Sequence, residues 1–352
     1  MPKVSIIILN WNQPELTVNC VKSVLKQDYR DFEILLVDNG SEDNSLEIFR
    51  KEFKENKKIR ILETGKNLGY AGGNNFGVKN SKGKYVVILN NDTIVEKNWL
   101  RELVNGIKNE KEIGAVSSLE IRENQEERDW SKNPLTLSLV GYPVEFKYKD
   151  LEKENLLPIF VIVGCSFIYK KNLISKPFDP EYFIYNEEIY LAWLLNLKGY
   201  KNKIATNSKV HHLLSMTRKS NKRIDRYFIF LGERNRIMNL LIFYELSTLI
   251  RIFPLIFVNI VLLNLTEPRK IIPRFRAYLW LLSHPRKIMK KRNYIQKQRK
   301  IPDREIVKIL SCKLRDETVF KNKLMRDSLK IINSLFCIYC RALGLRTIEF
   351  EN

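Results

Sequence analysis

The chain predicts an α/β fold: a mainly parallel sheet with helices on both faces, followed by a helical, membrane-proximal extension. Three observations carry this. Short apolar runs alternate with helix-periodic segments from Val4 to Ile107. Three of the runs end in Asn10-Trp11-Asn12, Asp38-Asn39-Gly40-Ser41 and Asn90-Asn91-Asp92-Thr93, the kind of turn with which open α/β sheets present a site at their carboxyl edge. After about residue 225 the alternation gives way to long apolar and basic stretches.

The elements follow in order. Val4 to Leu9 is nearly all apolar and β-branched, as suits a strand buried on both faces. Pro14 fits a first helical turn, and Leu16, Cys20, Val21, Val24 and Leu25 recur at helical spacing. Phe32 to Val37 is the second strand, Ser45 to Phe53 a helix and Ile59 to Leu62 the third strand. Asn67 to Asn75 is a glycine-rich turn opening another helix. Tyr85 to Leu89 is the fourth strand, and Trp99, Leu100, Leu103, Val104 and Ile107 mark the next helix. From about 120 to 157 the pattern blurs, which suggests a lid or binding loop. Phe160 to Ile168 reads as a strand and Glu187 to Leu197 as a helix, while His211 and His212 follow a short strand-like piece.

Leu240 to Leu265 is very apolar, interrupted by Glu245, Arg251 and Pro254. Its charge-free part, Ile252 to Thr266, would be roughly 22 Å long as a helix. That is short for a bilayer core of about 30 Å. Pro268 to Lys300 is dense in Lys and Arg. An apolar segment beside a basic one predicts a segment lying on an anionic membrane surface. The competing reading is an ordinary core helix with a solvated basic face. Residues 301–352 read as further helix. The expected division is 1–220 catalytic, 221–300 membrane-associated and 301–352 helical tail.

The net charge of +21 calls for an anionic partner. Nucleic acid is disfavoured, because no recognised module is present and the basic cluster abuts an apolar run. The five cysteines, at 20, 165, 312, 337 and 340, are odd in number and scattered. They argue against a disulfide framework and fit a reducing compartment. Cys337 and Cys340 form a lone CxxC without further zinc ligands nearby, so packing is the expected role. The first residues enter a strand directly, so no signal peptide is expected. A nicotinamide-cofactor domain is excluded, because the first strand leads into Asn-Trp-Asn where that fold needs a glycine-rich turn.

Asp92 supplies a hard oxygen ligand of the kind Mg²⁺ or Mn²⁺ prefers when it also holds phosphates. Asp38 can accept hydrogen bonds from a base or ribose. Gly69, Gly72 and Gly73 let backbone approach a ligand. Glu187 and Glu188 open a helix, where one carboxylate, its pKa raised by the other, can take a proton from an attacking hydroxyl. His211 and His212 offer imidazoles for a metal or a phosphate. Each feature alone also has a plain structural explanation as a turn, a cap or packing.

Together the pieces resemble family 2 glycosyltransferases of the GT-A fold, most of all the rhamnosyltransferase-like enzymes of cell-surface polysaccharide synthesis. The matching segments are Ser5 to Asn12, Val37 to Ser45, Asn67 to Gly77 and Leu89 to Thr93, the last in the Asn-x-Asp form of a DxD-type metal motif. Gly164-Cys165-Ser166, Phe178-Asp179, His211 and Arg234-Asn235-Arg236 follow in order. The resemblance implies an inverting transferase using a nucleotide-diphosphate sugar, with rhamnose among the candidate sugars, and a lipid-linked or polysaccharide acceptor on the cytoplasmic face of the membrane. It implies donor binding by Asn10, Asn12, Asp38, Asn67, Gly69, Gly73, Asn74 and Asn91. It implies a divalent metal (Mg²⁺ or Mn²⁺) on Asp92 and His211, and a base from the pair Glu187 and Glu188, with Glu188 at the base position. Tyr190 and Leu194 stand where the family carries charged residues. This departure raises the alternative of a catalytically weakened paralogue that binds sugar nucleotide or scaffolds polysaccharide assembly.

Overall fold

The structure is a computed structural model and describes residues 3–108, 110–121, 135–146, 154–213, 222–317 and 322–351. Most of the segment expected as a lid, 120–157, lies outside these residues. The chain divides into two compact units. The first takes Met1–Pro134, Tyr148–Ala192 and Lys201–Thr217, and the second Leu135–Lys147, Trp193–Tyr200 and Arg218–Asn352.

The first unit begins with β1 (Val4–Asn10), α1 (Pro14–Leu25), β2 (Phe32–Asp38), α2 (Ser45–Phe53), β3 (Ile59–Glu63), α3 (Gly69–Asn80) and β4 (Tyr85–Asn90). β5 (Thr93–Val95), α4 (Trp99–Lys108) and β6 (Ile113–Ile121) follow. β7 (Leu135–Leu137) and β8 (Pro143–Glu145) form a hairpin of the second unit. β9 (Leu156–Ile159) and β10 (Ser166–Lys170) return to the first. α5 (Glu187–Leu197) and β11 (Lys201–His212) come next.

The sheet order is β3-β2-β1-β4-β10-β6-β11-β5, with β9 on β11. The first four strands are parallel, as the strand–helix alternation predicts. β10 then enters antiparallel between β4 and β6. Register aligns the strand ends: Asn10 pairs with Asp38, and Leu9 with Asn90. Three polar termini thereby meet at one edge.

Alternate side chains of β1, β2 and β4, among them Ile6, Ile34 and Val87, pack under α1, α2 and α4 in one cluster. Each such fully buried side chain contributes about 1.5–3 kcal/mol. On the other face α3 lies very close, because Gly73 and Gly77 carry no Cβ. A Cβ there would stand 2.5 Å from Leu9 Cδ1 and 2.6 Å from Ile7 Cγ2 respectively.

Two strand expectations change. The run 160–168 is not one strand, since β10 starts at Ser166. Phe160, Val161 and Ile162 are buried all the same. Side chains satisfy this loop: Asn202 Nδ2 donates to the Phe160 carbonyl (3.0 Å), the Val163 amide to Ser117 Oγ (3.0 Å), and Tyr70 Oη to the Gly164 carbonyl (2.9 Å). A continuous apolar run marks burial, and here burial does not require a ladder. His211 and His212 lie within a twelve-residue strand, so their side chains alternate across the sheet.

The second unit is helical: α6 (Lys222–Phe243), α7 (Leu246–Thr266), α8 (Ile271–Ser283), α9 (Pro285–Gln296), α10 (Asp303–Ile306), α11 (Lys323–Ala342) and α12 (Ile348–Glu351). Trp193 stacks on Phe243, centroids 5.2 Å apart, and meets Tyr244 edge-on at 4.8 Å. Buried Arg236 pairs with Glu233 (2.6 Å), which also accepts from Tyr278 Oη (2.7 Å). The Arg-Asn-Arg segment thus carries a buried ion pair. Cys312 and Cys337 form a disulfide with Cα atoms 5.0 Å apart, which corrects the expectation of unpaired cysteines. The pairing escapes a reading by spacing, since the partner of Cys337 is 25 residues away while its CxxC neighbour Cys340 is a free, buried thiol.

Candidate active site

The carboxyl ends of β1 and β2 are welded by hydrogen bonds. Asn10 Nδ2 donates to Asp38 Oδ1 and Ser41 Oγ, both at 3.0 Å. Ser41 donates from its amide to Asp38 Oδ2 (3.0 Å) and from Oγ to Oδ1 (2.5 Å). Asn12, with φ +54°, accepts from the Glu42 amide (2.8 Å). Asp38 is a buried, pre-oriented carboxylate.

Asn67 Oδ1 accepts from the Gly69 amide (2.8 Å) and from Asn39 Nδ2 (3.1 Å), fixing the entry to α3. Gly69 has φ +70°, and a Cβ there would stand 2.5 Å from the Phe183 ring and carbonyl. Gly69 and Gly73 therefore both serve close protein packing. Asn74 donates to the Tyr70 carbonyl (3.0 Å), while its buried Oδ1 has no partner among the described residues. Asn91 Nδ2 donates to Thr17 Oγ1 (2.9 Å) and Gln13 Oε1 (3.3 Å), so it braces α1.

Asp92 faces His212, not His211. His212 Nε2 lies 3.2 Å from Asp92 Oδ1, and its Nδ1 lies 2.5 Å from Glu120 Oε1. His211 points to the other side of β11, 3.5 Å from Glu96. Burial opposes charge on His212, but its hydrogen bonds to Asp92, Cys165 and Glu120 hold its proton and raise its pKa to about 12. Ligand atoms of Glu120, Cys165 and His212 lie within 4.8 Å of one another. Burial and the Glu120 charge push the Cys165 thiol up to about 11.

Glu187 and Glu188 open α5 after an unusual turn. Phe183, Tyr185 and Asn186 all have positive φ, at 61°, 72° and 66°. Non-glycine residues held there carry backbone strain of the kind found at functional sites. The turn is pinned by the Ala71 amide, which donates to the Phe183 carbonyl (3.1 Å). Burial, and then the neighbouring Glu188 charge, raises the pKa of Glu187 well above the usual carboxylate range. Burial raises Glu188 to about 7. Oε2 of Glu187 is buried without a partner among the described residues. The Glu188 side chain runs along Gly164, whose Cβ would stand 3.6 Å from Glu188 Cγ. Tyr70 is half-buried, and desolvation, then the Glu187, Glu188, Cys165 and Asp92 charges, raise its pKa well above the usual range. Tyr190 and Leu194, the two departures, are buried, Tyr190 edge-on to Tyr182 at 5.5 Å.

The donor set fits a divalent cation. Asp92 offers a carboxylate oxygen and His212 an imidazole nitrogen. Glu120 holds the opposite ring nitrogen, the outer support that metal-ligating histidines usually have. Asp92 and Glu120 lie on either side of the His212 ring, so positive charge is favoured there. His212 was legible as a candidate imidazole but not as the one that faces Asp92. Glu120, Cys165 and Tyr70 were not legible as site residues, although Cys165 and Tyr70 lie in matching segments.

Residues 5–178 match the model of Glycosyl transferase family 2. This segment is a family 2 glycosyltransferase domain. Over 113 residues the chain is 34% identical to Glycosyltransferase GlyG of Streptococcus pneumoniae serotype 4, covering 32% of this chain and 37% of that protein. Over 206 residues it is 26% identical to the poly-beta-1,6-N-acetyl-D-glucosamine synthase of Staphylococcus aureus, covering 57% of this chain and 47% of that one. The chain thus spans less than half the length of these two curated relatives. GalNAc-T7, solved with UDP, GalNAc and Mn2+, superposes with a TM-score of 0.58 at 16% identity over 70% of this chain and 49% of that one. The mannosyltransferase PcManGT from Pyrobaculum calidifontis, solved with GDP-Man and Mn2+, gives 0.50 at 14% identity over 84% of both chains. At these identities the likeness shows the fold, which is GT-A, and the family 2 segment carries every strand of its sheet except β11.

Proposed function

We propose that the chain moves a sugar, with rhamnose among the candidates, from a nucleotide-diphosphate donor to a lipid-linked or polysaccharide acceptor. The reaction inverts the anomeric carbon and needs Mg²⁺ or Mn²⁺. The observations that carry this reading are the cluster of Asp92, His212, Glu120 and Cys165 and, beside Cys165, the Gly164 backbone along which Glu188 runs and to which Tyr70 donates. The name of the staphylococcal relative supports a polysaccharide product, and the ligands named with the solved neighbours support a sugar nucleotide and a metal.

Asp38 and the amide-rich strand ends orient the nucleotide. Asp92 and His212 hold the cation, with Glu120 fixing the ring of His212. The bound cation offsets the charge that develops on the leaving diphosphate. Glu188, with a pKa of about 7, takes the proton of the acceptor hydroxyl as that oxygen bonds to the anomeric carbon. The bond from that carbon to the diphosphate oxygen breaks with its electron pair. Glu187, held neutral beside it, leaves one negative charge in the pair. We place the chain at the cytoplasmic membrane face, and α7 and the basic helices after it support that. The 1–220, 221–300 and 301–352 division is kept as a functional one.

A second reading is a sugar-nucleotide-binding protein with little turnover, favoured by buried, uncharged Tyr190 and Leu194. Calorimetric titration against UDP-, GDP- and dTDP-sugars, with and without Mn²⁺, tests the main reading. Metal-dependent binding of one donor supports it, and no binding of any donor overturns it. Binding without turnover selects the second reading.

A further inference from the structure

In the second unit, three helices expose apolar side chains among the described residues. On α7, Leu246, Ile250, Phe253, Phe257, Val261 and Leu265 are exposed and recur at steps of three or four residues. They form one stripe along the whole helix. On α8, Ile272, Phe275, Leu279 and Leu282 repeat the pattern, and α11 exposes Ile331, Leu335 and Ile338. The three helices are tied together. Arg274 of α8 donates to the Leu263 carbonyl of α7 (2.7 Å), and Tyr339 Oη of α11 to the Arg251 carbonyl (2.9 Å). Soluble proteins rarely leave apolar patches of this extent bare.

The charge beside this face is almost wholly positive. Between Leu246 and Lys300, Glu267 is the sole acidic residue. α9 bears a groove of about 530 Å³ lined by Arg286, Met289, Lys290, Asn293, Tyr294 and Lys297. Its three cations are exposed and recur along one side of the helix. Apolar stripes on α7 and α8, followed directly in the chain by a cationic groove on α9, suit hydrocarbon beneath a layer of phosphate headgroups.

We infer that α7, α8 and α11 dock the protein in plane on a bilayer carrying anionic headgroups, with the α9 groove taking headgroup phosphates. This rests on the membrane placement proposed above and assigns its surface and orientation. α7 is longer than its charge-free part, since it runs over 21 residues, Leu246–Thr266. At about 1.5 Å per residue that is long enough to cross a bilayer, so length no longer excludes spanning. Packing does. Its opposite stripe, Thr248, Ile252, Leu255, Asn259 and Leu263, is buried within the unit. A spanning α7 would leave that packing and carry Arg251, Asn259 and Asn264 into hydrocarbon, which is costly.

Flotation of the full chain with vesicles of phosphatidylcholine, alone or with one-third phosphatidylglycerol, tests this. The protein should float with the anionic vesicles, less so at high salt and weakly with the neutral ones. Phe257→Glu with Leu265→Glu should lower the bound fraction by about ten-fold, and Lys290→Glu with Lys297→Glu should remove the preference for phosphatidylglycerol. Both double variants should keep donor affinity in lipid-free calorimetry, a readout that fails separately if the sugar-nucleotide reading is wrong. Absence from the anionic vesicles overturns the inference, as does a dimer that buries this face and stays in solution. Resistance to alkaline carbonate extraction overturns the in-plane orientation.

Discussion

His212 Nε2 stands 3.2 Å from Asp92 Oδ1, and this pair joins the turn after β4 to the last residue of β11. The two residues are 120 positions apart, so the contact exists only because β5 and β11 pair antiparallel, with His212 opposite Thr93. That register places His212 beside the Asn-x-Asp turn and turns His211 away from it.

The first prediction separates the two histidines. Glu120→Gln removes the charge that fixes the His212 ring and should weaken Mn²⁺-dependent nucleotide binding about 10–100-fold, the usual effect of losing an outer-shell partner. His211→Ala should leave that binding unchanged. Calorimetry with UDP and Mn²⁺ reads both, and an equal loss in the two variants would return the ligand role to His211.

The second concerns pH. Glu188 must be deprotonated to accept the hydroxyl proton, and its pKa is raised to about 7 by burial. The transfer rate should therefore rise with pH up to about 7 and level off above it. Glu188→Gln should keep donor binding and lose about 10²–10⁴-fold in transfer. A pH-independent rate between 5 and 8 would exclude Glu188 as the base, on the pKa of about 7 assigned to it.

The same shift sets a stability trend. The folded state holds protons on Glu187 and Glu188 that the unfolded chain releases, so stability falls as pH rises from the ordinary carboxylate range through about 7. Glu187→Gln abolishes one such group. It should raise the melting temperature at pH 8 and change it little at pH 4, as thermal unfolding at the two values would show. An equal change at both would mean that folding does not raise the pKa of Glu187.

What was legible in the sequence is what local pattern controls. The strands through Leu89 and the helices between them come from uninterrupted apolar runs and 3.6-residue periodicity, both properties of a few neighbouring residues. The strand-end residues Asn10, Asp38 and Asp92 were legible for the same reason. The insertion of β10 antiparallel was not, because a strand's direction depends on which distant strand it joins. Glu120, on a strand otherwise built for burial, acquires meaning only through His212. Membrane length was misjudged because charge, not helix geometry, marked the start of α7.

The departures at Tyr190 and Leu194 give the last prediction. Restoring charge at one of them, by Tyr190→Asp, would seem a repair by analogy. In this chain Tyr190 is 7% exposed and packs edge-on against the fully buried Tyr182. An aspartate there would lose the ring contact and bury a carboxylate next to Glu187, whose pKa already shows the cost of charge in this region. Loss of an aromatic core residue alone costs about 3–5 kcal/mol. Tyr190→Asp should therefore destabilise the protein by at least that order in urea unfolding and should not raise transfer. Tyr190→Phe, which keeps the ring, should stay within about 1.5 kcal/mol of the parent. A stable, more active Tyr190→Asp variant would show that the tyrosine is a lesion in an acceptor site and not part of the packing that holds Glu187 and Glu188 in place.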